Sequence, residues 1–443
     1  MTEKIREAVL KNRALIEDAQ NYIWANPETG YREEKTSKYM AERFLELGYE
    51  LTYADGITGF YTVVDTGREG PEILVLGELD SLICFEHPDA DPLTGAVHCC
   101  GHSAQCAALL GIAAALKDPD ILASMCGRIR LCAVPAEELI EIGYRLDLRK
   151  KGIIKYFGGK TEFLYRGYFD GVDMAFMLHT AGGDSFAINN GSVGCVAKTI
   201  IYKGVSAHAG GSPWDGCNAL YAANLGINAI NAIRETFREP DVIRVHPIIT
   251  KGGSAVNAIP DRVIMESYIR GSSFKAIEDA NKRVNRALCG AALSIGANVD
   301  IQDSPGYAPY RNCVPLGEVF LEAARAQGEK TAKRDVLTSG STDMGDLACV
   351  MPIIHGYAPG AVGKGHGDDY YIADIDKACV GSARVQVELL YALLKDNAAR
   401  AKEILEGYEP PFASKKEYFE YLDRFDREGD RIDYREGKAD VSL

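Results

Sequence analysis

The first half of the chain shows two kinds of apolar pattern. Three runs rich in Leu, Ile, Val and Ala are typical of buried strands, namely ILVLGELDSL, RIRLCAV and DMAFMLH. Between the first two, SAQCAALLGIAAALKD predicts a buried helix with Ser103 as its N-cap. Strands that alternate with helices predict an α/β fold built on a doubly wound, mostly parallel sheet.

A different pattern follows Thr180. AGGDSFAINNGS is interpreted as a linker, and the segments after it predict a strand, a helix, two strands, a helix and a strand. This βαββαβ order is that of a ferredoxin-like α+β unit. We therefore predict a discontinuous first domain, residues 1–184 and 305–443, with an inserted domain at residues 185–304.

Charge and composition narrow the choice of partners. The formal net charge of −14 disfavours nucleic acid and anionic membranes, and no apolar run is long enough to span a bilayer. The first twenty residues predict an amphipathic helix, not a signal peptide, and the 12 cysteines are scattered, so we expect a cytoplasmic protein with buried thiols. The charge-dense last forty-odd residues predict a solvated helical tail.

Polar side chains close each of the three predicted strands. They are Asp80, the pair Glu137-Glu138, and His179. In parallel sheets, sites form at the carboxyl ends of the strands. Two further groups offer metal ligands, Cys100-Gly101-His102 and the His366 of a glycine-rich loop. Each of these residues alone is more often structural, but their recurrence at successive element ends predicts metal-assisted hydrolysis, which needs such ligands and a base.

The motifs GELDSL, HCCGHS, VPAEE, MLHT, SAHAGGSPWDGCNAL, VNAIPD, GSTDMGD and GKGH resemble one family of metallopeptidases and amidohydrolases. It contains aminoacylases, carboxypeptidase-G-type enzymes and indoleacetyl-amino-acid hydrolases, and the subgroup of p-aminobenzoyl-glutamate hydrolase B subunits is the most similar. The resemblance runs from about Leu10 to about Ala392. It implies a two-metal metallohydrolase that cleaves the amide bond of a small N-acyl or N-aroyl amino acid or dipeptide-like substrate.

The resemblance also implies a role for individual residues. The metal ligands would be Cys100, His102, Glu138, His179 and His366, with Cys100 or a carboxylate between two divalent ions. Ligand softness favours Zn²⁺, whereas relatives often use Mn²⁺, so the choice stays open. Glu137 would be the general base for the water nucleophile and would then protonate the leaving amine. Asp80 would orient a ligand histidine.

The remaining implied roles concern the substrate and a second copy of the chain. His208 would bind the substrate and donate a hydrogen bond to the tetrahedral oxyanion, often in the partner subunit's active site. Asn257 and Arg270 would hold the substrate carboxylate. The inserted domain would act as a lid and would form a homodimer.

Some positions depart from the family pattern. Ser103 follows Cys-Gly-His where Asp or Asn is usual, and Glu78 stands where His or Asp is usual. A stretch of 18 residues, LIEIGYRLDLRKKGIIKY, replaces a short glycine-rich link and alters the pocket wall. His87 and His98 are interpreted as loop histidines. Two alternatives stay open: a non-catalytic relative that acts as a binding or assembly module, and a thiol hydrolase with Cys100 as its nucleophile.

Overall fold

Two sheets organise the chain in a computed structural model that describes residues 1–435 and 438–442. The helices are α1 Thr2–Lys11, α2 Arg13–Trp24, α3 Glu34–Glu46, α4 His102–Ala115, α5 Pro119–Ala123, α6 Ile142–Lys150, α7 Gly159–Tyr165, α8 Ala219–Ile233, α9 Phe274–Ser294, α10 Val314–Ala326, α11 Met344–Ala348, α12 Ser382–Glu406 and α13 Lys415–Leu422.

The strands are β1 Thr52–Tyr53, β2 Phe60–Asp65, β3 Glu72–Glu78, β4 Leu82–Ile83, β5 Ala96–Val97, β6 Arg128–Val134, β7 Met174–Gly182, β8 Phe186–Ser192, β9 Gly194–Lys203, β10 Arg244–Val245, β11 Ile248–Lys251, β12 Arg262–Gly271, β13 Asn298–Pro305, β14 Tyr310–Arg311, β15 Thr331–Thr338, β16 Ile353–Val362, β17 Tyr371–Ile372, β18 Ile432–Arg435 and β19 Lys438–Val441.

The large sheet has the order β1-β2-β6-β3-β7-β16-β8-β14, with β15 paired to β8 and β17 to β16. Its centre, β6-β3-β7-β16, is parallel. Every residue of β3 is buried, as expected for a strand covered on both faces. Apolar side chains of α1, α2, α4, α10 and α12 form the core on one face, and those of α7, α11 and α13 contribute to the core on the other. The predicted doubly wound, mostly parallel α/β sheet is confirmed.

The small sheet has the order β10-β12-β9-β13, with β11 also paired to β12, and all its pairings are antiparallel. Apolar side chains of α8 and α9 pack against it in a core of their own. The chain order is βαββαβ, with the second strand split into β10 and β11, so this is the predicted ferredoxin-like α+β unit. We refer to Gly194–Pro305 as the small-sheet unit.

The interpretation of AGGDSFAINNGS as a linker is wrong. Most of this segment is β8, which pairs with β16, β14 and β15 in the large sheet. The chain therefore changes sheet at Val193 and not at the predicted boundary of residue 185. Gly and Asn residues in the segment suggested a loop, but pairing with distant strands overrides that local preference.

Two helix predictions are corrected at their ends. The single N-terminal helix is two helices, α1 and α2, because the backbone at Asn12 leaves the helical region. Helix α4 starts at His102, and Gly101 rather than Ser103 is its N-cap. None of the helices in residues 1–435 and 438–442 combines the length and apolarity needed to cross a membrane.

The C-terminal tail is not simply solvated. Tyr418, Phe419 and Leu422 of α13 are buried in a core beside the large sheet, and Ile432 is buried in the core of the small-sheet unit. Four apolar residues among many charges are a weak signal in sequence. They nevertheless allow the tail to contact the cores beside both the large sheet and the small sheet.

Candidate metal centre

The carboxyl ends of β3, β6 and β7 meet at one edge of the large sheet, since β6, β3 and β7 are parallel neighbours. Glu78 is the last residue of β3 and Asp80 follows it, Glu137 and Glu138 follow β6, and His179 lies towards the end of β7. The start of α4 brings Cys100 and His102 to the same place. The sheet topology thus gathers residues that are up to a hundred positions apart.

Gly101 allows Cys100 and His102 to face the site together. Its φ of 91° is left-handed, and a Cβ at this position would lie 2.3 Å from the Tyr370 hydroxyl oxygen. Any other residue would be strained and would clash. The Cys100 Sγ lies 3.2 Å from the His179 Nε2, and the His102 side chain is fully buried.

The five predicted ligands converge. The ligands form two groups, and within each group all ligand atoms lie within 4.8 Å of one another. The first group is Cys100, His102 and His179, and the second is Cys100, Glu138 and His366. Cys100 belongs to both groups. The His366 Nε2 lies 3.4 Å from the Glu138 Oε1.

The donor atoms fit a metal ion. The His102 Nε2 and the Glu138 Oε1 are buried and have no hydrogen-bond partner within the described chain. Buried polar atoms are rarely left in this state, so an electropositive partner suits both. Thiol, imidazole and carboxylate are all groups that bind divalent ions once deprotonated.

Asp80 links two of the predicted ligands. The Nδ1 of His102 lies 2.8 Å from the Asp80 carbonyl oxygen and 3.4 Å from its Oδ1. The other carboxylate oxygen of Asp80 accepts a hydrogen bond of 2.8 Å from the Glu138 backbone N–H. Burial is the largest influence on Asp80 and would raise its pKa, but the hydrogen bond and charge of His102, together with the hydrogen bond from the Glu138 N–H, hold that pKa below the ordinary value. Asp80 therefore lies in contact with both His102 and the backbone of Glu138, the position that its predicted orienting role requires.

Glu78 forms a third candidate group with His102 and Glu137. Its Oε2 lies 3.1 Å from the His102 Nε2 without hydrogen-bond geometry, and its Oε1 lies 2.5 Å from the Nζ of Lys160. Lys160 also lies 2.5 Å from the Oδ1 of Asp343. Burial opposes ionisation of Glu78, but the charges of Lys160 and His102 prevail and hold its pKa below the ordinary value. Burial raises the pKa of Asp343 to about 6.

Glu137 is a buried carboxyl close to other carboxyls. Burial is the main reason that its pKa lies well above the ordinary value, and the charges of Glu78 and Glu138 add to this effect. Its Oε2 is 3.8 Å from the His102 Nε2. A carboxyl in this setting has the raised proton affinity that general-base chemistry near neutral pH requires.

The backbone of the Glu137-Glu138 segment is held from both sides. Arg145, in the 18-residue stretch after Glu138, donates hydrogen bonds to the carbonyls of Ala136 (3.4 Å) and Glu138. Tyr307 donates to the carbonyl of Glu137. Ala136 itself has a left-handed φ of 56°. The stretch that departs from the family pattern therefore supports the segment that carries the predicted base.

A pocket of about 740 Å³ opens beside these residues. Arg270 lies on its wall and donates a hydrogen bond of 3.1 Å to the Ser341 hydroxyl. The volume is typical of a site for a small organic molecule. Besides the predicted ligands His179 and His366, the aromatic residues of the wall are Tyr268, Tyr307, Tyr310, His355, Tyr357 and Tyr370.

His208 and Asn257 do not reach this pocket. Both are exposed in the small-sheet unit, where the Ala209 N–H donates a hydrogen bond of 2.9 Å to the Asn257 carbonyl. The Nδ1 of His208 accepts hydrogen bonds from the backbone N–H groups of Gly210 (3.1 Å) and Gly211 (2.8 Å). The two residues are thus neighbours of each other and separate from the pocket of their own chain.

Several residues of the site were not predicted from sequence. Lys160, Arg145 and His355 carried no motif signal, and Asp343 lay within GSTDMGD without an assigned role. His355 lines the pocket, and burial lowers its pKa to about 3, so its imidazole is neutral. His87 and His98, interpreted as loop histidines, are both buried.

Comparison with known proteins agrees with this geometry. The profile described as peptidase family M20/M25/M40 matches residues 75–393. The chain is 29% identical over 369 residues to an Xaa-Arg dipeptidase of Mus musculus, covering 80% of this chain and 78% of the relative. It is 27% identical over 410 residues to an indole-3-acetyl-aspartic acid hydrolase of Enterobacter agglomerans, covering 77% and 86%.

Two solved structures share the fold. One is a dinuclear metal-binding M20 peptidase from Bacillus subtilis, with a TM-score of 0.63, 20% identity, and coverage of 86% of this chain and 98% of the other. The second is an aminobenzoyl-glutamate utilization protein from Klebsiella pneumoniae, with a TM-score of 0.65, 19% identity, and coverage of 87% and 98%. The chain belongs to peptidase family M20/M25/M40 and is a metal-dependent amidohydrolase.

Proposed function

We propose that the chain holds two divalent ions, Mn²⁺ or Zn²⁺, and cleaves the amide bond of a small N-acyl or N-aroyl amino acid or a dipeptide-like compound. The observation that carries this proposal is the pair of ligand groups that share Cys100 beside the buried Glu137. The substrate class rests on relatives named for dipeptides, indoleacetyl-aspartate and aminobenzoyl-glutamate.

One ion would be held by Cys100, His102 and His179, and the other by Cys100, Glu138 and His366. When bound, such ions supply Lewis-acid polarisation of a carbonyl and lower the pKa of water. The thiol and the imidazoles favour Zn²⁺, whereas the carboxylate favours Mn²⁺, so the ligand set fits either ion. Cys100 belongs to both ligand groups, so it would help to hold both ions.

Glu137 would act as the proton carrier of the reaction. Its carboxylate takes a proton from the attacking water and passes it to the nitrogen of the leaving amine. The hydrogen bond from Tyr307 and those from Arg145 hold the backbone around Glu137, so its carboxylate does not need to reorganise between the two transfers.

Arg270 would bind the carboxylate of the amino-acid part of the substrate. Its guanidinium lies on the pocket wall, and a planar fork of N–H donors matches a carboxylate. A local cation is needed here because the chain carries a net charge of −14, which repels anionic substrates at long range. The tyrosines of the wall suit an aromatic or aliphatic acyl group.

The same proposal includes a homodimer formed through the small-sheet unit. Large apolar side chains are exposed there, above all Trp214 and Val256, which are 78% and 102% exposed. β11 is an exposed edge strand. Exposed apolar surface and a free sheet edge are typical of an interface. In this arrangement His208 and Asn257 of one chain serve the pocket of the other.

The domain division that we propose follows the sheets. Residues 194–305 form the inserted lid and dimerisation domain, and residues 1–193 and 306–443 form the catalytic domain. We also propose a cytoplasmic location, which is supported by twelve cysteines that are all free thiols.

The thiol alternative finds little support in the geometry. Burial, with the charge of Glu138, raises the pKa of Cys100 well above its ordinary value. A nucleophilic cysteine needs the opposite shift, towards a thiolate at neutral pH. Without metal, alkylation of Cys100 should therefore be slow.

Metal analysis combined with one variant tests the proposed function. Purified protein should contain close to two ions per chain. Glu137→Gln should keep both ions and lose roughly 10²–10⁴-fold in kcat on a responsive N-acyl amino acid. Glu86→Gln, an exposed glutamate on the loop after β4, is the matched control and should retain full activity. Full activity of Glu137→Gln would contradict the proposal.

A further inference from the structure

A second cavity, of about 380 Å³, lies between α9, β13 and the part of the C-terminal tail that follows α13. It shares no lining residue with the pocket at the metal centre. Its charged residues are mostly cations: Lys282, Arg283 and Arg286 from α9, and Arg424, Arg427 and Arg431 from the tail, against Glu278 and Asp303. This excess of positive charge stands on a chain whose net charge is −14.

The six cations of this cavity are not neutralised by the described residues. None of them has a carboxylate oxygen of residues 1–435 or 438–442 within 4.0 Å, although many Lys and Arg side chains elsewhere in that part of the chain do. Arg283 and Arg431 donate instead to the backbone carbonyls of Thr236 (3.1 Å) and Ile301 (2.8 Å). The guanidinium groups therefore keep donors to spare.

Three acids of the tail that lie close to Arg427 in sequence contact residues outside the cavity. Asp426 pairs with Arg149, and Asp430 lies 2.5 Å from the Nζ of Lys203. Glu428 accepts a hydrogen bond of 3.2 Å from the Gln302 side chain. These three carboxylates, all within three residues of Arg427, are thus engaged away from the cavity.

The floor of the cavity is polar and buried. Asp303 is paired with the buried Lys198 and accepts a hydrogen bond of 2.8 Å from Asn281. Arg431 is 8% exposed, and its Nε is buried without a partner, as is the side-chain oxygen of Asn281. A guanidinium in such a place is costly unless an anion accompanies it.

We propose that this cavity, which we call the basic pocket, binds a small polyanion with two or more closely spaced oxyanion groups. A condensed phosphate and a tricarboxylate share this chemistry, and arginine forks match both. The volume is at the lower end for small-molecule sites. Nucleic acid is disfavoured because the rest of the chain repels a long phosphate backbone.

The position of the basic pocket predicts what the ligand does. α9 belongs to the small-sheet unit, and the tail residues follow α13, which is buried against the large-sheet domain. The tail already contacts β13 through backbone hydrogen bonds between Asp303 and Arg427, and an anion held by α9 and the tail would strengthen this attachment. Binding to the folded state alone raises the melting temperature, here by about 2 °C or more at saturating ligand.

Isothermal titration with sodium tripolyphosphate and with citrate, at constant ionic strength, tests the proposal. Saturable binding of either anion at one site per chain supports it, and the stronger of the two identifies the class of ligand. The double variant Arg286→Gln/Arg427→Gln should weaken that binding by at least about tenfold and abolish the rise in melting temperature.

A matched control uses Arg238→Gln/Lys251→Gln, which removes two exposed cations elsewhere on the small-sheet unit. It should bind the anion as the unaltered chain does. Unchanged metal content and turnover in both double variants show that they are folded. Equal binding by the Arg286→Gln/Arg427→Gln variant and the unaltered chain would overturn the proposal. A second outcome would also overturn it: the unaltered chain binds neither anion, and the Arg286→Gln/Arg427→Gln variant changes its oligomeric state. The cations would then serve a protein interface.

Discussion

The Nζ of Lys160 lies 2.5 Å from the Oε1 of Glu78, and both side chains are buried behind His102. Lys160 also contacts Asp343 at 2.5 Å, so one ammonium serves two carboxylates. Removal of the shared cation leaves buried charge without compensation, which usually costs more than the pair contributes.

We therefore expect Lys160→Met to lower the free energy of unfolding by about 3–5 kcal/mol, measured in urea with metal present. Lys330→Met is the matched control, because Lys330 forms an exposed pair with Asp184, and such pairs contribute about 0–1 kcal/mol. Equal and small losses in both variants would contradict the role given to Lys160.

Asp80→Asn tests the orientation of His102. The amide keeps an acceptor for the Glu138 N–H but loses the charge beside the His102 ring. Metal affinity should fall by about 10–100-fold, measured by competition with a chelator. Glu137→Gln, by contrast, should lose turnover at full metal occupancy. If Asp80→Asn binds metal normally, another group orients His102.

Arg145→Met tests whether the stretch after Glu138 positions the base. It removes hydrogen bonds to the carbonyls of Ala136, Glu138 and Phe157, all within a buried segment. We expect kcat to fall by roughly tenfold to 10²-fold with a smaller change in KM, because the base moves relative to the substrate. Arg149→Met, on the same helix α6, removes a pair with the exposed Asp426 and should leave kcat nearly unchanged.

Mixing two variants tests the proposed exchange of His208 between chains. His208→Ala and Glu137→Gln should each lose roughly 10²-fold or more of the activity. After subunit exchange, half of the dimers are mixed, and each of these contains one complete site. About a quarter of the original activity should therefore return. If mass measurement shows that subunits have exchanged but no activity returns, the proposed exchange is wrong. His208 then either acts in the pocket of its own chain or takes no part in the reaction.

Stability should depend on pH through Asp346. Burial raises the pKa of Asp346 to about 7, and a hydrogen bond of 2.5 Å from Tyr418 lowers it only in part. The folded state therefore binds a proton that the unfolded state has released above pH 4, so stability falls as pH rises from about 4 to about 7.

Asp346→Asn should remove this contribution, which is on the order of a few kcal/mol at most. The difference in free energy of unfolding, variant minus original chain, should increase as the pH rises from about 5 to about 8. Tyr418→Phe keeps the carboxyl and should keep or steepen the dependence. Parallel pH profiles for the original chain and Asp346→Asn would show that other groups dominate.

Local sequence pattern determined the elements that carry the centre. The apolar runs that became β3, β6 and β7 are strong enough to specify strands, and polar residues at their ends predicted where Asp80, Glu137 and His179 would meet. This worked because parallel strands align their carboxyl ends, whichever residues fill them. The Cys100-Gly101-His102 motif likewise depends on local geometry, because its left-handed central residue has to be glycine.

Other features depended on contacts between distant segments. Lys160 contacts Glu78, which lies 82 positions earlier in the chain, and Arg145 donates to the carbonyl of Glu138. No local sequence pattern predicts either contact. The sequence of β8 is typical of a loop, and the segment is a strand only because it pairs with distant strands. The few apolar residues of the tail are buried only because they reach two separate cores. Pairing energies between elements decide such cases, because local preference is weaker than burial and hydrogen bonding with a specific partner.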